Sequence, residues 1–200
     1  NGMRALSPDE FEAAAETAGA LILDTRDSAV FYKGFIPQSI NIGINGDFAP
    51  WVGAMIGNVT QPILLVTEVG KEEETVTRLT RVGFDNVIGH LKGGFKTWAD
   101  AGKEIDTVNR ISAKQFQEAV DINQDVVIDI RREAEYAAEH IENAYSKPLA
   151  YINDWVKDIN PAQHFYIHCA GGYRSMIAAS ILQARGYRNF SEIEGGFKAI

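Results

Sequence analysis

The sequence is poor in the residues on which several large protein classes depend. It has one cysteine in 200 residues, which excludes an internal disulfide framework and a zinc site built on clustered cysteines. No window approaches the roughly 18 consecutive apolar residues of a membrane-spanning helix. The start, Asn1-Gly2-Met3-Arg4, lacks the basic-then-apolar layout of a secretory signal. Lys and Arg number 19 against 27 Asp and Glu, a formal net charge of −8, whereas a duplex-binding surface needs clustered cations. Neither nucleic acid nor membrane is therefore expected as a partner, and the expected location is the cytoplasm. What is present, 46% apolar and 23% charged residues, is the balance of an ordinary globular chain. Its length suits two domains of about 100 residues each.

The chain repeats itself. Leu21-Ile22-Leu23-Asp24-Thr25-Arg26 is answered by Val126-Val127-Ile128-Asp129-Ile130-Arg131, each an apolar run ending in Asp-x-Arg. Ser7-Pro8-Asp9-Glu10 is answered at the same offset by Ser112-Ala113-Lys114-Gln115, both with the Ser and Glu/Gln spacing of a helix capping box. Gly83-Phe84-Asp85-Asn86-Val87 returns as Gly186-Tyr187-Arg188-Asn189-Phe190, and Gly93-Gly94-Phe95-Lys96 returns unchanged as Gly195-Gly196-Phe197-Lys198. Four landmarks in one order make the chain two copies of one fold, residues 1–105 and 106–200, divided near Asp106 after a helix that stops on Gly102. The second copy ends before the Thr97-Trp98-Ala99-Asp100 that completes the first, so it looks truncated, and the Asn1-Gly2 start fits a cloning remnant as well as a native terminus.

Within the first copy the pattern predicts helices at 8–18, 28–33, 48–56, 72–82 and 94–101, with strands at 21–24, 40–42, 63–66 and 86–89. Short apolar runs without alternation, separated by helices, are strands buried on both faces. The expected fold class is α/β: two domains, each a central parallel sheet flanked by helices with right-handed crossovers. Ligands in such sheets bind beyond the carboxyl ends of strands, which directs attention to the loop after each central strand.

In the second copy that loop reads Cys169-Ala170-Gly171-Gly172-Tyr173-Arg174-Ser175, between the strand-like Phe165-Tyr166-Ile167-His168 and a helical stretch from Met176 to Gln183. The only cysteine heads it. Small residues and two glycines let backbone N–H groups turn inward as an anion-binding nest, the helix start adds its positive dipole end, and Arg174 adds a forked cation able to grip two oxygens. Together these favour a thiolate. A lone cysteine is more often a small buried hydrophobe, but a core cysteine belongs mid-strand, not at the lip of a glycine loop. Tyrosine and dual-specificity phosphatases use Cys-x5-Arg; here only Ala170, Gly171, Gly172 and Tyr173 intervene. The tighter bowl suits one sulfur atom on Cys169 better than a phosphate, and no acid for an alkoxide leaving group stands nearby.

At these residues the chain resembles the rhodanese family: in the Asp-x-Arg of each copy, the Cys-x4-Arg loop, the His140-Ile141 that matches Phe35-Ile36-Pro37, and the Gly-Gly-Phe near each end. The resemblance covers nearly the whole chain as tandem domains. It implies a sulfurtransferase that moves sulfane sulfur from thiosulfate or a glutathione-type persulfide to a thiol or cyanide acceptor. Its intermediate would be a covalent cysteine persulfide, with no other cofactor and no metal. Carried over by position, Cys169 is the nucleophile, Arg174 the cationic rim, Ala170 to Ser175 the substrate cradle, and Asp129 and Arg131 structural support. Asp47-Phe48-Ala49-Pro50-Trp51-Val52-Gly53 also resembles a stretch of bacterial fusions in which a metallo-β-lactamase-fold persulfide dioxygenase precedes rhodanese domains. The alternatives are a sulfur-relay module of such a fusion and a cysteine-dependent phosphatase or arsenate reductase.

The first copy departs from the pattern. Thr67 or Glu68 stands where Cys169 stands, the loop is expected to be shorter, and Glu68 and Glu72-Glu73-Glu74 surround its mouth, so this half is expected to be non-catalytic. Acidic residues also suit the first turn of a helix for structural reasons alone. His164 and His168 share a strand face but read as ordinary strand residues, with His168 at most tuning the loop. Trp51, Trp98 and Trp155 read as core, and Tyr173 either as a wall of the site or as packing.

Overall fold

The computed structural model describes residues 3–200, so the Asn1-Gly2 start lies outside the described residues. The chain divides into two compact units, one through Thr107 and one from Val108 to Ile200. The first runs β1 (Ala5–Leu6), α1 (Pro8–Ala18), β2 (Leu21–Asp24), α2 (Ser28–Phe31), β3 (Ile40–Asn41), α3 (Phe48–Met55), β4 (Ile63–Val66), α4 (Glu72–Arg81), β5 (Val87–Leu91) and α5 (Phe95–Asp100). The second runs β6 (Arg110–Ile111), α6 (Ala113–Ala119), β7 (Val126–Asp129), α7 (Glu133–Ala138), β8 (Tyr145–Ser146), α8 (Ile152–Trp155), β9 (Phe165–His168), α9 (Tyr173–Ala184) and β10 (Phe190–Ile193). The sheets have the orders β1-β5-β4-β2-β3 and β6-β10-β9-β7-β8, and all their pairings are parallel. The expected architecture is present twice.

Local chemistry sets the elements. Ser7 Oγ accepts from Glu10 N at 3.2 Å while Glu10 Oε1 accepts from Ser7 N at 3.1 Å. Ser112 and Gln115 repeat the exchange at 3.0 and 2.8 Å, so both capping boxes form. The central strand Ile63-Leu64-Leu65-Val66 is wholly buried, each side chain contributing roughly 1.5–3 kcal/mol of apolar transfer. Phe11 meets the edge of Trp98 at 6.2 Å in the first unit, and Phe116 meets Tyr166 edge-on at 5.0 Å in the second. Trp98 and Trp155 are buried and hydrogen-bonded to the carbonyls of Glu104 and Pro148; Trp51 is only half-buried.

Two elements escape the periodicity reading: β1 and β6, edge strands of two residues each. The register also settles an alignment. Asp24 pairs with Val66 and Asp129 with His168, so Thr67, not Glu68, is the counterpart of Cys169. The first loop is not the shorter one. Its helix α4 begins five positions after Thr67, whereas α9 begins four after Cys169; the missing length lies in the helix, 10 residues against 12.

Candidate active site

Cys169 leaves the carboxyl end of β9, the strand flanked by β7 and β10, and is 1% exposed. Gly172 sits at φ 99° as the residue that caps α9, a conformation that side chains disfavour. It turns its N–H onto Cys169 Sγ at 3.0 Å. Gly171 has neither a positive φ nor any atom within 4 Å of where a Cβ would stand; it is exposed and leaves the mouth of the loop open. Ala170, Tyr173 and Arg174 are half-buried around it.

Arg174 is not an idle rim. Its guanidinium forms a bidentate pair with Glu135 of α7, at 2.7 and 3.0 Å. These bonds hold the Glu135 carboxyl down to about 2. They also raise the pKa of Arg174, with burial opposing and the charge of Cys169 reinforcing the rise. Ser175, expected among the substrate contacts, is fully buried. It stands behind the cysteine, 3.4 Å from Sγ, and donates its own proton to Glu192 Oε2 at 2.8 Å.

Glu192 of β10 and Arg110 of β6 went unremarked in the sequence, and they complete the floor. Their side chains are 0% and 3% exposed and meet at 2.6 Å; a second nitrogen of Arg110 reaches both Glu192, at 2.9 Å, and the Gly172 carbonyl, at 3.0 Å. The available signal was a carboxylate between Phe190 and Ile193 in the short stretch before the Gly-Gly-Phe landmark: if that stretch is a buried strand, the charge demands a partner.

Asp129 and Arg131 lie beneath the site. Arg131 donates from its backbone and its guanidinium to the Asp129 carboxylate at 2.8–3.1 Å, ties down the Glu139 carbonyl, and lies 4.3 Å over the Phe197 ring. Phe197 N–H in turn donates to the Cys169 carbonyl at 2.7 Å, and Lys198 N–H to that of Ala170 at 3.0 Å. The Gly-Gly-Phe segment thus hooks the loop by its backbone. Asp24, Arg26 and Phe95 reproduce the lower half of this device in the first unit, where burial pushes the Asp24 carboxyl up against the pull of Arg26. His168 Nδ1 also donates to the Cys169 carbonyl, at 2.9 Å, and burial lowers its pKa so that the ring stays neutral. His164 instead contacts Ser191.

In the first unit Thr67 replaces the cysteine, and Ala5 and His90 occupy the paired register positions of Arg110 and Glu192. The Gly70 N–H, at φ 94° like Gly172, is taken by the Glu72 carboxylate at 3.0 Å. That cradle is filled from within.

The family model of the rhodanese-like domain matches residues 7–101 and again 112–200. The chain belongs to the rhodanese family. A relative named tRNA uridine(34) hydroxylase, from Staphylococcus saprophyticus, is 32% identical over 97 residues, which are 45% of this chain and 30% of that protein. YrkF of Bacillus subtilis, proposed by its name to be a sulfur carrier protein, is 24% identical over 99 residues, 49% of this chain and 54% of that one. This rhodanese chain therefore spans only about half or less of those curated relatives. A solved thiosulfate sulfurtransferase from Pseudomonas aeruginosa aligns over 98% of this chain and 41% of its own, at 20% identity and a TM-score of 0.45. Among the described residues no helix is long and apolar enough to cross a membrane.

Proposed function

We propose that the second domain is a sulfurtransferase working through a persulfide on Cys169. The observation that carries this reading is a single sulfur at the head of a strand-loop-helix turn, receiving the Gly172 N–H at 3.0 Å with the charged Arg174 beside it. The Cys169 thiolate attacks the outer sulfur of thiosulfate or of a glutathione-type persulfide. The new S–S bond forms as the donor S–S bond breaks, and sulfite or the donor thiolate leaves with the electron pair. The terminal sulfur of Cys169–S–S⁻ then rests among backbone donors. Cyanide or a thiolate takes that sulfur and returns the Cys169 thiolate. No metal or further cofactor is needed at any step.

The test is intact mass after brief exposure to thiosulfate and, separately, to glutathione persulfide. Gain of one sulfur by the native chain, reversed by cyanide or a thiol and lost in Cys169→Ser, is the expected result. No gain from either donor overturns the reading. The second variant of this reading is a relay within a larger fusion, in which Cys169 loads once and passes its sulfur on to a fused or associated persulfide dioxygenase domain that consumes it. Fast single loading with slow turnover on every small donor is the result that favours it. Phosphatase or arsenate reductase activity, the remaining alternative, is decided by turnover of an aryl phosphate or of arsenate.

A further inference from the structure

The buried pair Arg110–Glu192 touches the cysteine's surroundings at two points: through Ser175 and through the Gly172 carbonyl. A buried ion pair is weak evidence for stability, and the first unit folds the same sheet with Ala5 and His90 in its place and no cysteine to serve. Ion pair and nucleophile occur together in one copy and are absent together from the other.

The geometry sets a direction. Ser175 has one hydroxyl proton, and it points at Glu192 Oε2, 2.8 Å away. The serine therefore turns a lone pair toward Cys169 and accepts from the thiol at 3.4 Å. A lone pair facing sulfur favours S–H and opposes S⁻. Arg110 supplies two of the three side-chain bonds that Glu192 accepts, so Glu192 stays satisfied if the serine turns away. We propose that Arg110 and Glu192 are positioning residues that set which way Ser175 points, and through it whether the resting nucleophile is thiol or thiolate. When Cys169 gives its proton to solvent base, the S–H electron pair stays on sulfur, and the Ser175 hydroxyl rotates from Glu192 to sulfur and becomes a donor to the anion; no covalent bond other than S–H breaks. The proposal deepens the reading of Cys169 as nucleophile. Other charged and titratable groups lie around this centre: Arg174 of α9 and Glu135 of α7, Asp129 and Arg131 at the end of β7, Glu194 after β10, and the neutral His168 of β9. The test must therefore isolate the serine path from bulk field.

The measurement is the ultraviolet absorbance of the thiolate against pH, as the difference from Cys169→Ser, which needs no sulfur donor and reads the chain's single cysteine. Glu192→Gln is expected to move the midpoint to lower pH by about one unit, a tenfold change in the thiolate ratio. In a Ser175→Ala background the same substitution should move it by much less. An equal shift in both backgrounds makes Glu192 a distant charge and overturns the proposal, as does no shift at all. Should Glu192→Gln fail to fold with Arg110 left unpaired, Arg110→Met with Glu192→Met removes both charges and carries the same two expectations. Failure to load sulfur would sink the sulfurtransferase reading without touching this titration, and the converse also holds.

Discussion

Glu135 and Arg174 form one bidentate pair that holds the Glu135 carboxyl ionised far into the acid range. The Glu135 carboxyl falls from 4.5 to about 2 in the folded chain, so between those values the unfolded chain binds the extra proton and folding loses ground as pH falls. The contribution is complete above pH 4.5 and disappears as pH drops through about 2. Urea midpoints recorded across that window should decline less steeply in Glu135→Gln than in the native chain; parallel curves would deny the pair a role in acid stability. The same substitution frees the Arg174 fork, and the KM for an anionic donor should drop severalfold with kcat little changed. Cys169 and Arg174 could be picked out from residue type and spacing alone. Glu135 could not, because it approaches from 39 positions away on a helix whose acidic first turn has an ordinary local explanation.

Gly196 is where one segment approaches another too closely for any side chain. At φ 60°, a Cβ there would stand 2.5 Å from the Cys169 carbonyl oxygen and 2.6 Å from the Ala170 carbonyl carbon, both backbone atoms that cannot swing aside. Gly196→Ala should therefore push the loop off its hook, costing roughly 2–4 kcal/mol in denaturation and most of the sulfur loading. Gly171→Ala, with open space around it, should keep both within error. Finding the two alanines equivalent would show that the hook does not hold the loop. The repeated Gly-Gly-Phe was plain in the sequence; its purpose was not, since a backbone-to-backbone contact leaves no trace in residue type. Buried strands and capped helices were legible because each writes a periodic or positional signature. The two-residue strands β1 and β6 are too short to write one, and with β6 went Arg110.

Duplication left the two copies with one sheet and two different loops. The first keeps the Asp-x-Arg brace, but its turn closes on Glu72. A thiol placed there should stay idle: in a Cys169→Ser chain, Thr67→Cys is expected to take up no sulfur from thiosulfate, read by intact mass. Adding Glu72→Gln, which removes the competing carboxylate, should restore some loading. Uptake by Thr67→Cys alone would mean that the Glu72 carboxylate on the Gly70 N–H does not keep this turn from serving a cysteine. Internal repeats made the tandem architecture readable at once, whereas the difference between the two loops rests on a handful of positions where the copies disagree.

Arg110 and Glu192 are 82 positions apart in a unit that runs from Val108 to Ile200. A ribosome therefore makes the arginine well before Cys169 and its carboxylate well after. Through most of the second domain's synthesis Cys169 either does not yet exist or has no floor beneath it. Cys169 is thus made before the strand that completes its setting, and its surroundings wait on the arrival of β10.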